Sequence, residues 1–382
     1  MFTDAPVNGL TYAASPSGVT GVTGDNGTDG GFRYEPGDSV TFTLGGLTLG
    51  STTGAATVTP ADISGGNPTV AANLLVLLQS LDSDSSEGRI AISLPASTRL
   101  SGLSLTQSTT DFASAPAFTE AVAAAGGTVV DPQTAVEHAT AQFWQQAAGV
   151  WFARVDSATA IVIRIDAQGR YLMGETGLGD EAGQPGIEYG RIDWDPTTQI
   201  ATAVASIDTS ADWGLSSSPV RLRMQGTQLE VGDLQNGAVV ETLAMRRLDS
   251  QSNSIIGIWV VEGLENATDP LRTQTFVFGL NGGYMMIDPV GDVSDGPGDP
   301  LCGGAGLESG SHVVTGDILS ITQIRVDTNG CAGLNEPTPG GDIRTELRNM
   351  VLSADGSTLD AEIFYPASGQ GDGPVRLLRI TP

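Results

Sequence analysis

An internal repeat in the second half of the chain limits its fold more than any other feature. The same short motifs recur there in the same order, and only the loops between them differ in length. A chain of this kind must build one structural unit twice. The matched motifs are Gly149-Val150-Trp151 with Gly257-Ile258-Trp259, Gly169–Met173 with Gly283–Met286, Gly186–Gly190 with Gly306–Gly310, Ile207–Thr209 with Val326–Thr328, Gly214-Leu215 with Gly333-Leu334, and Met245–Arg247 with Leu378–Ile380.

The pattern inside each copy is typical of short antiparallel strands. One example is the apolar run Ala160–Ile165, which is followed at once by the turn residues Asp166–Gly169. An antiparallel sheet that closes on itself has no unpaired edge strand, so each copy favours a small barrel or sandwich over an open sheet. We therefore predict two tandem antiparallel β-barrel-like repeats, at residues 147–250 and 251–382.

The first part of the chain, residues 1–146, has a mixed pattern. Its opening half alternates strand-like runs with Gly, Asp and Asn turns, and Val40–Leu44 alternates apolar with polar residues. This pattern predicts an Ig-like or β-sandwich module. Two helices are expected after it, over Val70–Leu81 and from Asp131-Pro132 to Gln146, because Asp and Pro favour the start of a helix. The predicted fold class is mainly β.

The charge of the chain excludes one class of partner. All 17 basic residues are arginine, and the 44 acidic residues give a formal net charge of −27. A surface of this sign repels phosphate backbones, so we do not expect nucleic acid as a partner. The sequence has no apolar run of 18 residues or more, which predicts that no helix spans a membrane.

The residues that enzymes use most often for hydrolysis are scarce. The chain has two histidines, His138 and His312, and it has neither a Gly-x-Ser-x-Gly nor a His-Glu-x-x-His motif. The most suggestive set is the repeated carboxylates, Glu188 and Glu308 with Asp208 and Asp327. These residues suit either an acid/base pair or cation binding, but Gly-x-Glu-x-Gly and Asp-Thr are also turn patterns in which carboxylates accept backbone N–H groups. We favour the turn interpretation and predict no catalytic residues.

Calcium is the one cofactor that the sequence suggests. Asp82, Asp84 and Glu87 place oxygen ligands at alternating positions of a short loop, and Asp292–Asp299 is similarly rich in carboxylates. Neither segment matches a complete EF-hand loop. The alternative is an acidic turn that faces water.

Aromatic residues supply the candidate ligand-binding side chains. We place Trp194, Trp213, Tyr171 and Tyr284 in this group, since all four lie in the repeats. Aromatic side chains bury a large apolar area and keep a polar tip, which suits both ligand stacking and core packing. The tryptophans of the two Gly-x-Trp motifs are expected in the cores.

The two cysteines and the start of the chain bear on whether the protein is extracytoplasmic. Cys302 and Cys331 are the only cysteines, and an isolated pair in a chain rich in Gly, Ser and Thr favours one disulfide. Such a bridge stabilises a fold by about 3–4 kcal/mol in the chain-entropy description. The segment Met1–Pro6 lacks the features of a leader, as the start of a cytoplasmic protein would. Because the chain starts abruptly within a strand-like segment, we expect instead that Met1 replaces a removed signal peptide or lipoprotein leader.

Two resemblances accompany these patterns. The motifs of the first 145 or so residues resemble an N-terminal module of proteobacterial surface lipoproteins and adhesin-like proteins, which implies an Ig-like scaffold at the cell surface. The Gly-x-Trp openings, each followed by up-and-down strands, resemble lipocalin-type barrels. The segments that carry the first resemblance are Asp4–Tyr12, Gly31–Tyr34, Gly37–Phe42 and Leu78–Asp82.

Three functional hypotheses follow. The first is a non-enzymatic extracytoplasmic protein, either an outer-membrane lipoprotein or secreted, that serves adhesion or self-assembly through a cell-surface or matrix component. The second is a lipocalin-like carrier of a small apolar ligand. The third is an extracellular hydrolase that works through its carboxylates. The sequence favours the first.

Overall fold

The mainly β fold class is confirmed. The computed structural model describes residues 1–83, 88–95, 98–248, 252–279, 282–291, 304–330, 333–336 and 342–380. Strands account for 45% of the residues and helices for 14%. The chain divides into two compact units, the first made of Met1–Ala147, Trp194–Ala201 and Arg221–Gly232, and the second of Ala148–Asp193, Thr202–Val220 and Asp233–Pro382.

In its described residues, the first unit contains a four-stranded antiparallel sheet and five helices. The sheet order is β3-β2-β4-β5, and β1 pairs in parallel with β6. These elements do not by themselves confirm an Ig-like module, which stays a prediction. The elements are β1 (Val7–Asn8), β2 (Thr11–Ser15), β3 (Thr20–Val22), β4 (Ser39–Leu44), β5 (Leu47–Thr53), α1 (Pro60–Ile63), α2 (Pro68–Ser80), β6 (Ile90–Ala91), α3 (Thr109–Ser114), α4 (Pro116–Ala125) and α5 (Pro132–Ala147).

Both predicted helices are present. The side chain of Asn67 accepts hydrogen bonds from the first turn of α2, and Pro68 occupies the first position, where its missing N–H costs nothing. In α5 the Asp131 carboxylate accepts the N–H of Gln133 at 2.9 Å. The helices α1, α3 and α4 were not predicted, since α1 and α3 span only four and six residues and the alanine-rich α4 has no distinct apolar stripe.

The two repeats form two closed eight-stranded antiparallel barrels, as the sequence predicts. In each barrel the last strand pairs with the first, so no edge remains open. The first barrel contains β7 (Gly149–Arg154), β8 (Ala160–Ile165), β9 (Arg170–Glu175), β10 (Gly186–Asp195), β11 (Ile200–Asp208), β12 (Val220–Gln225), β13 (Gln228–Gln235) and β14 (Ala238–Arg247). The second contains β15 (Gly257–Val261), β16 (Thr275–Phe278), β17 (Gly283–Asp288), β18 (Gly306–Thr315), β19 (Ile318–Asp327), β22 (Glu346–Leu352), β23 (Thr358–Tyr365) and β24 (Gln370–Arg379), with the short pair β20 (Asn335–Glu336) and β21 (Ile343–Arg344) between β19 and β22.

The tryptophan of each Gly-x-Trp motif is a core residue, which confirms the prediction. Trp151 and Trp259 are both fully buried. An arginine of the last strand lies over each indole, with the guanidinium carbon of Arg247 4.5 Å and that of Arg379 4.2 Å from the ring centre. Cation–π contact of this kind contributes about 2 kcal/mol when it is shielded from water. The repeat therefore preserves a contact that closes the first strand onto the last.

Within the second unit, the outer faces of the two barrels pack against each other. The buried contact includes matched pairs from the two copies: Val150 and Ile258, Leu172 and Met285, and Ile187 and Leu307. The arrangement is thus an internal version of a symmetric dimer, in which the same surface is used on both sides.

A glycine and an aspartate fix this packing. A Cβ atom on Gly174 would lie 2.9 Å from the Ile287 side chain, so β9 approaches β17 closely because residue 174 has no side chain. The Asp269 carboxylate of the β15–β16 loop accepts the hydroxyl of Tyr189 and pairs with Arg170 at 3.0 Å. The two barrels are therefore joined by apolar contact and by one partly buried ionic group.

Candidate functional site

The most extensive polar network inside the first barrel surrounds Glu188 on β10. This side chain is fully buried. Its carboxylate accepts the Tyr171 hydroxyl at 3.0 Å and the backbone N–H of Leu215 at 2.9 Å. The N–H of Ser216 lies 3.2 Å from each carboxylate oxygen, and the Ser216 hydroxyl donates as well. The segment between β11 and β12 is therefore held to the barrel interior through one carboxylate.

The second barrel repeats this network around Glu308 on β18. Glu308 is also fully buried. It accepts the Tyr284 hydroxyl, the N–H of Leu334 at 3.1 Å and the N–H of Asn335 at 2.9 Å. Burial raises the pKa of Glu308 to about 8, and the nearby charge of Asp327 adds to the effect. The matched carboxylates of the repeat thus occupy the same structural position.

A glycine in each copy makes room for the carboxylate. Gly214 and Gly333 have φ angles of +95° and +119°, which favour glycine. A Cβ atom at Gly214 would lie 2.5 Å from the Glu188 carboxyl carbon, and one at Gly333 would lie 2.6 Å from a Glu308 carboxylate oxygen. The repeated Gly-Leu motif is therefore needed so that two consecutive backbone N–H groups can reach the glutamate.

The aspartates of the repeat also serve the backbone. Asp208 accepts the backbone N–H and the hydroxyl of Ser210. Asp327 accepts the backbone N–H of Gly330 at 3.1 Å and the Asn335 side-chain amide at 2.8 Å. Glu188 and Glu308 have no exposed surface on which a substrate could bind. This geometry agrees with the turn interpretation of the repeated carboxylates.

The second barrel has a cleft of about 590 Å³ at the opposite end. This is the end where β15, β17, β19 and β23 begin and β16, β18 and β22 finish. No charged side chain belongs to the described lining. The lining residues are Asn253, Ser254, Ile255, Ile256, Gly279, Gly282, His312, Val313, Val314, Gly316, Met350, Leu352 and Leu359.

His312 is the titratable group of this lining. Its ring packs edge-on against Phe278 and Tyr284, with ring centres 5.3 and 6.4 Å apart. The Nδ1 atom is buried and has no hydrogen-bond partner within the described part of the chain. Burial lowers the pKa of His312, so the imidazole is neutral near pH 7. The cleft therefore combines an apolar wall with one neutral polar group that lacks a partner.

The matching end of the first barrel is different. Counted from the two glutamates, Ile192 and Trp194 stand where the second barrel has His312 and Val314. Trp194 is buried, its indole N–H donates to the Leu222 carbonyl at 2.8 Å, and the Phe143 ring of α5 stacks on it at 3.8 Å. Val314 by contrast is 43% exposed. The first copy thus has aromatic packing at a position where the second copy has a cleft.

The predicted ligand-binding residues fall into three different places. Trp194 belongs to the packing just described, while Tyr171 and Tyr284 are buried partners of the glutamates. Trp213 is half-buried, and its indole lies against Gly183. A Cβ atom added to Gly183 would lie only 2.0 Å from the indole ring. The structure therefore does not bring the four residues together.

The predicted metal and disulfide residues are mostly outside the described segments. Asp84, Glu87, Cys302 and Cys331 lie there, as does the whole acidic segment Asp292–Asp299. Asp82 is described, and its carboxylate accepts the N–H of Ala91 at 2.9 Å. In the described segments no group of three or more His, Cys, Asp or Glu side chains is arranged to hold a metal ion.

The cleft was not predicted from the sequence. From the sequence, His312 was considered only as a catalytic base. The other histidine, His138, lies in α5, where its Nδ1 atom is 3.5 Å from an Asp4 oxygen that raises the pKa of the imidazole. A usable signal was the change from Trp194 to Val314 between the two copies, because loss of a large buried ring at a matched position indicates space.

Comparison with protein-family models and with curated proteins gives no match to this sequence. Across the described residues, none of the helices has both the length and the apolar character needed to cross a membrane.

Proposed function

We propose that this chain is a non-enzymatic extracytoplasmic binding protein whose second barrel takes a small, mainly apolar ligand. The observation that carries the proposal is the cleft of about 590 Å³, because its size lies in the range of small-molecule sites and its lining is largely apolar. The proposal joins two predictions from the sequence, a role without catalysis and a lipocalin-like carrier.

The remaining contacts support a binding role rather than hydrolysis. A general acid or base must reach its substrate, whereas Glu188 and Glu308 are fully buried and their oxygens accept backbone and tyrosine hydrogen bonds. The contact between the barrels also buries the outer faces that carry Leu172 and Met285. We infer that the glutamate networks and the contact between the barrels form a rigid frame around the cleft.

A neutral fluorescent probe tests the proposal. N-phenyl-1-naphthylamine should bind with a one-to-one stoichiometry and gain emission on transfer from water to the cleft. The variant Val313→Glu places a charge on the lining and should weaken binding about tenfold, since an unpaired charge is costly beside apolar surface.

The matched control is Val351→Glu. Val351 is 61% exposed on β22 and does not belong to the described lining, whereas Val313 is 46% exposed. The control should keep its affinity within about twofold of the parent chain. Equal loss in both variants, or no saturable binding by the parent chain, would contradict the proposal.

The surface or matrix role rests on the resemblance of the N-terminal module, and its Ig-like form is part of that proposal. Native mass spectrometry after mild purification separates it from the carrier role. A retained small molecule supports the carrier, and assemblies of several chains support the matrix role. We expect a single chain with a bound small molecule.

A further inference from the structure

We infer that the ligand of the second barrel is uncharged and carries a hydroxyl group that pairs with His312. The inference rests on the proposed function and adds to it the chemical class of the ligand. It starts from His312, which is the residue of the described lining with a buried side-chain polar atom that lacks a hydrogen bond.

The buried Nδ1 atom of His312 requires a partner. A buried polar atom without a hydrogen bond destabilises the fold, and Nδ1 has no hydrogen-bond partner among the described residues. The ring lies on the cleft wall, next to Val313 and Gly282. Rotation of an imidazole about its Cβ–Cγ bond is a broad, nearly two-fold torsion, so either nitrogen can be presented to a molecule in the cleft.

The charge around the cleft selects against ions. Its described lining has no Asp, Glu, Lys or Arg. The guanidinium of Arg379 lies next to the lining, but it already donates to the Ser254 and Ile256 carbonyls and covers the Trp259 ring. The formal net charge of −27 further repels anions. An ion that left water for this site would lose its hydration without compensation.

A hydroxyl group is the neutral partner that suits this imidazole best. A neutral imidazole has one donor nitrogen and one acceptor nitrogen, and which is which depends on the tautomer. A hydroxyl group both donates and accepts, so it pairs with either tautomer. A ketone or an ether only accepts, and it therefore suits one tautomer alone.

The internal repeat supports the choice of His312 as the selective residue. The first copy has Ile192 at the matching position, where the side chain is buried and wholly apolar. Nothing in the barrel architecture therefore calls for a polar ring at residue 312. The difference between the copies occurs where one barrel is packed and the other has a cleft.

Equilibrium dialysis of the full chain against matched naphthalene compounds tests the inference. 2-Naphthol should bind about tenfold more tightly than naphthalene, which has the same ring system without the hydroxyl group. 2-Naphthoate should bind no more tightly than naphthalene. 1-Decanol carries the same hydroxyl group on an aliphatic chain. Its affinity relative to that of 2-naphthol shows whether the apolar part of the ligand is aliphatic or aromatic.

Variants of residue 312 link the preference to the imidazole. His312→Phe should bind naphthalene like the parent chain and lose the preference for 2-naphthol. His312→Gln, which keeps a donor and an acceptor, should retain part of it. Val204→Phe adds the same phenyl ring at a position that is 70% exposed on β11 and should leave both affinities unchanged.

The outcomes separate the two proposals. Equal binding of naphthalene and 2-naphthol by the parent chain, or tighter binding of 2-naphthoate, would overturn the hydroxyl inference and leave the apolar cleft standing. An unchanged preference in His312→Phe would also overturn it. Absence of binding by every compound would reject the proposed function itself.

Discussion

In both barrels a buried glutamate of the fourth strand receives backbone N–H groups from the segment that follows a repeated glycine, but the opposite ends of the barrels differ. There the first copy packs Trp194 against Phe143, and the second copy has a cleft beside His312. Duplication has therefore kept the polar network and changed the apolar end. The part that stayed constant indicates what the fold needs, and the part that changed is where we propose that a ligand binds.

The largest effect is expected from adding a side chain at Gly214, which is one of the two matched glycines that make room for the buried glutamates. Gly214→Ala would place a Cβ atom 2.5 Å from the Glu188 carboxyl carbon at a φ of +95°. Strain and loss of the backbone hydrogen bonds should together lower the free energy of unfolding by about 3–5 kcal/mol. Urea unfolding followed by circular dichroism measures the change.

Gly237→Ala is the control for that variant. Gly237 has a φ of +78°, and a Cβ atom there would meet nothing within 4 Å. Its cost should be limited to about 1 kcal/mol of backbone strain. Equal losses at residues 214 and 237 would show that the carboxylate network contributes little to stability.

The contact between the barrels provides the second test. Asp269→Ala removes the acceptor of the Tyr189 hydroxyl and the partner of Arg170, so it should cost about 2–3 kcal/mol in the free energy of unfolding. Asp360→Ala breaks the Arg376 pair, in which both side chains are 48% exposed, and should cost less than about 1 kcal/mol. The losses in unfolding free energy are compared through the denaturant midpoints of the two variants. Similar midpoints would mean that apolar contact alone joins the barrels.

The sequence predicted the parts of this architecture that depend on neighbouring residues. The Gly-x-Trp motifs, the strand alternation and the helix start at Asp131-Pro132 are local patterns, and each corresponds to the expected element. Tyr171 and Tyr284 were recognised as special, but the structure places their hydroxyls on the glutamates. Strand spacing alone does not reveal which buried carboxylate a tyrosine reaches.

The cleft and the contact between the barrels depend on distant residues and were therefore missed. Val150 and Ile258 look like ordinary strand residues, and nothing local indicates that their outward faces meet. In the first copy Phe143 stacks on Trp194, whereas the described lining of the cleft contains Val314 and no Phe, Tyr or Trp. Such differences are visible in a sequence only when two copies are compared position by position.

The pH dependence of stability tests the glutamate network of the second barrel. Burial raises the pKa of Glu308 to about 8 from an ordinary value of 4.5, and the nearby charge of Asp327 adds to the effect. The folded chain then holds this proton more tightly than the unfolded chain does. The stabilisation is present at low pH and is lost as the pH rises from about 4.5 towards 8.

Glu308 should contribute a slope of about 1 kcal/mol of unfolding free energy per pH unit between pH 6 and 7, and this contribution should be lost in Glu308→Gln. Burial also raises the pKa of Asp327 and of Glu175, the latter to about 7, so a smaller slope of the same sign should remain in the variant. Glu262→Gln, at an exposed site, should keep the parent slope. Identical slopes for the parent chain and Glu308→Gln would assign the pH dependence to the other two groups.

The smallest effect is expected from a single hydroxyl group of the shared network. Tyr171→Phe removes the 3.0 Å hydrogen bond to Glu188 and leaves the ring in place, so the free energy of unfolding should fall by about 1 kcal/mol. Tyr365→Phe removes an exposed bond to Asp372 and should change it by less than about 0.5 kcal/mol. Thermal unfolding resolves the difference if both variants are measured with the parent chain. A loss in Tyr171→Phe no larger than in Tyr365→Phe would mean that the backbone N–H groups alone hold the glutamate, and that the tyrosine is repeated for its ring rather than for its hydroxyl.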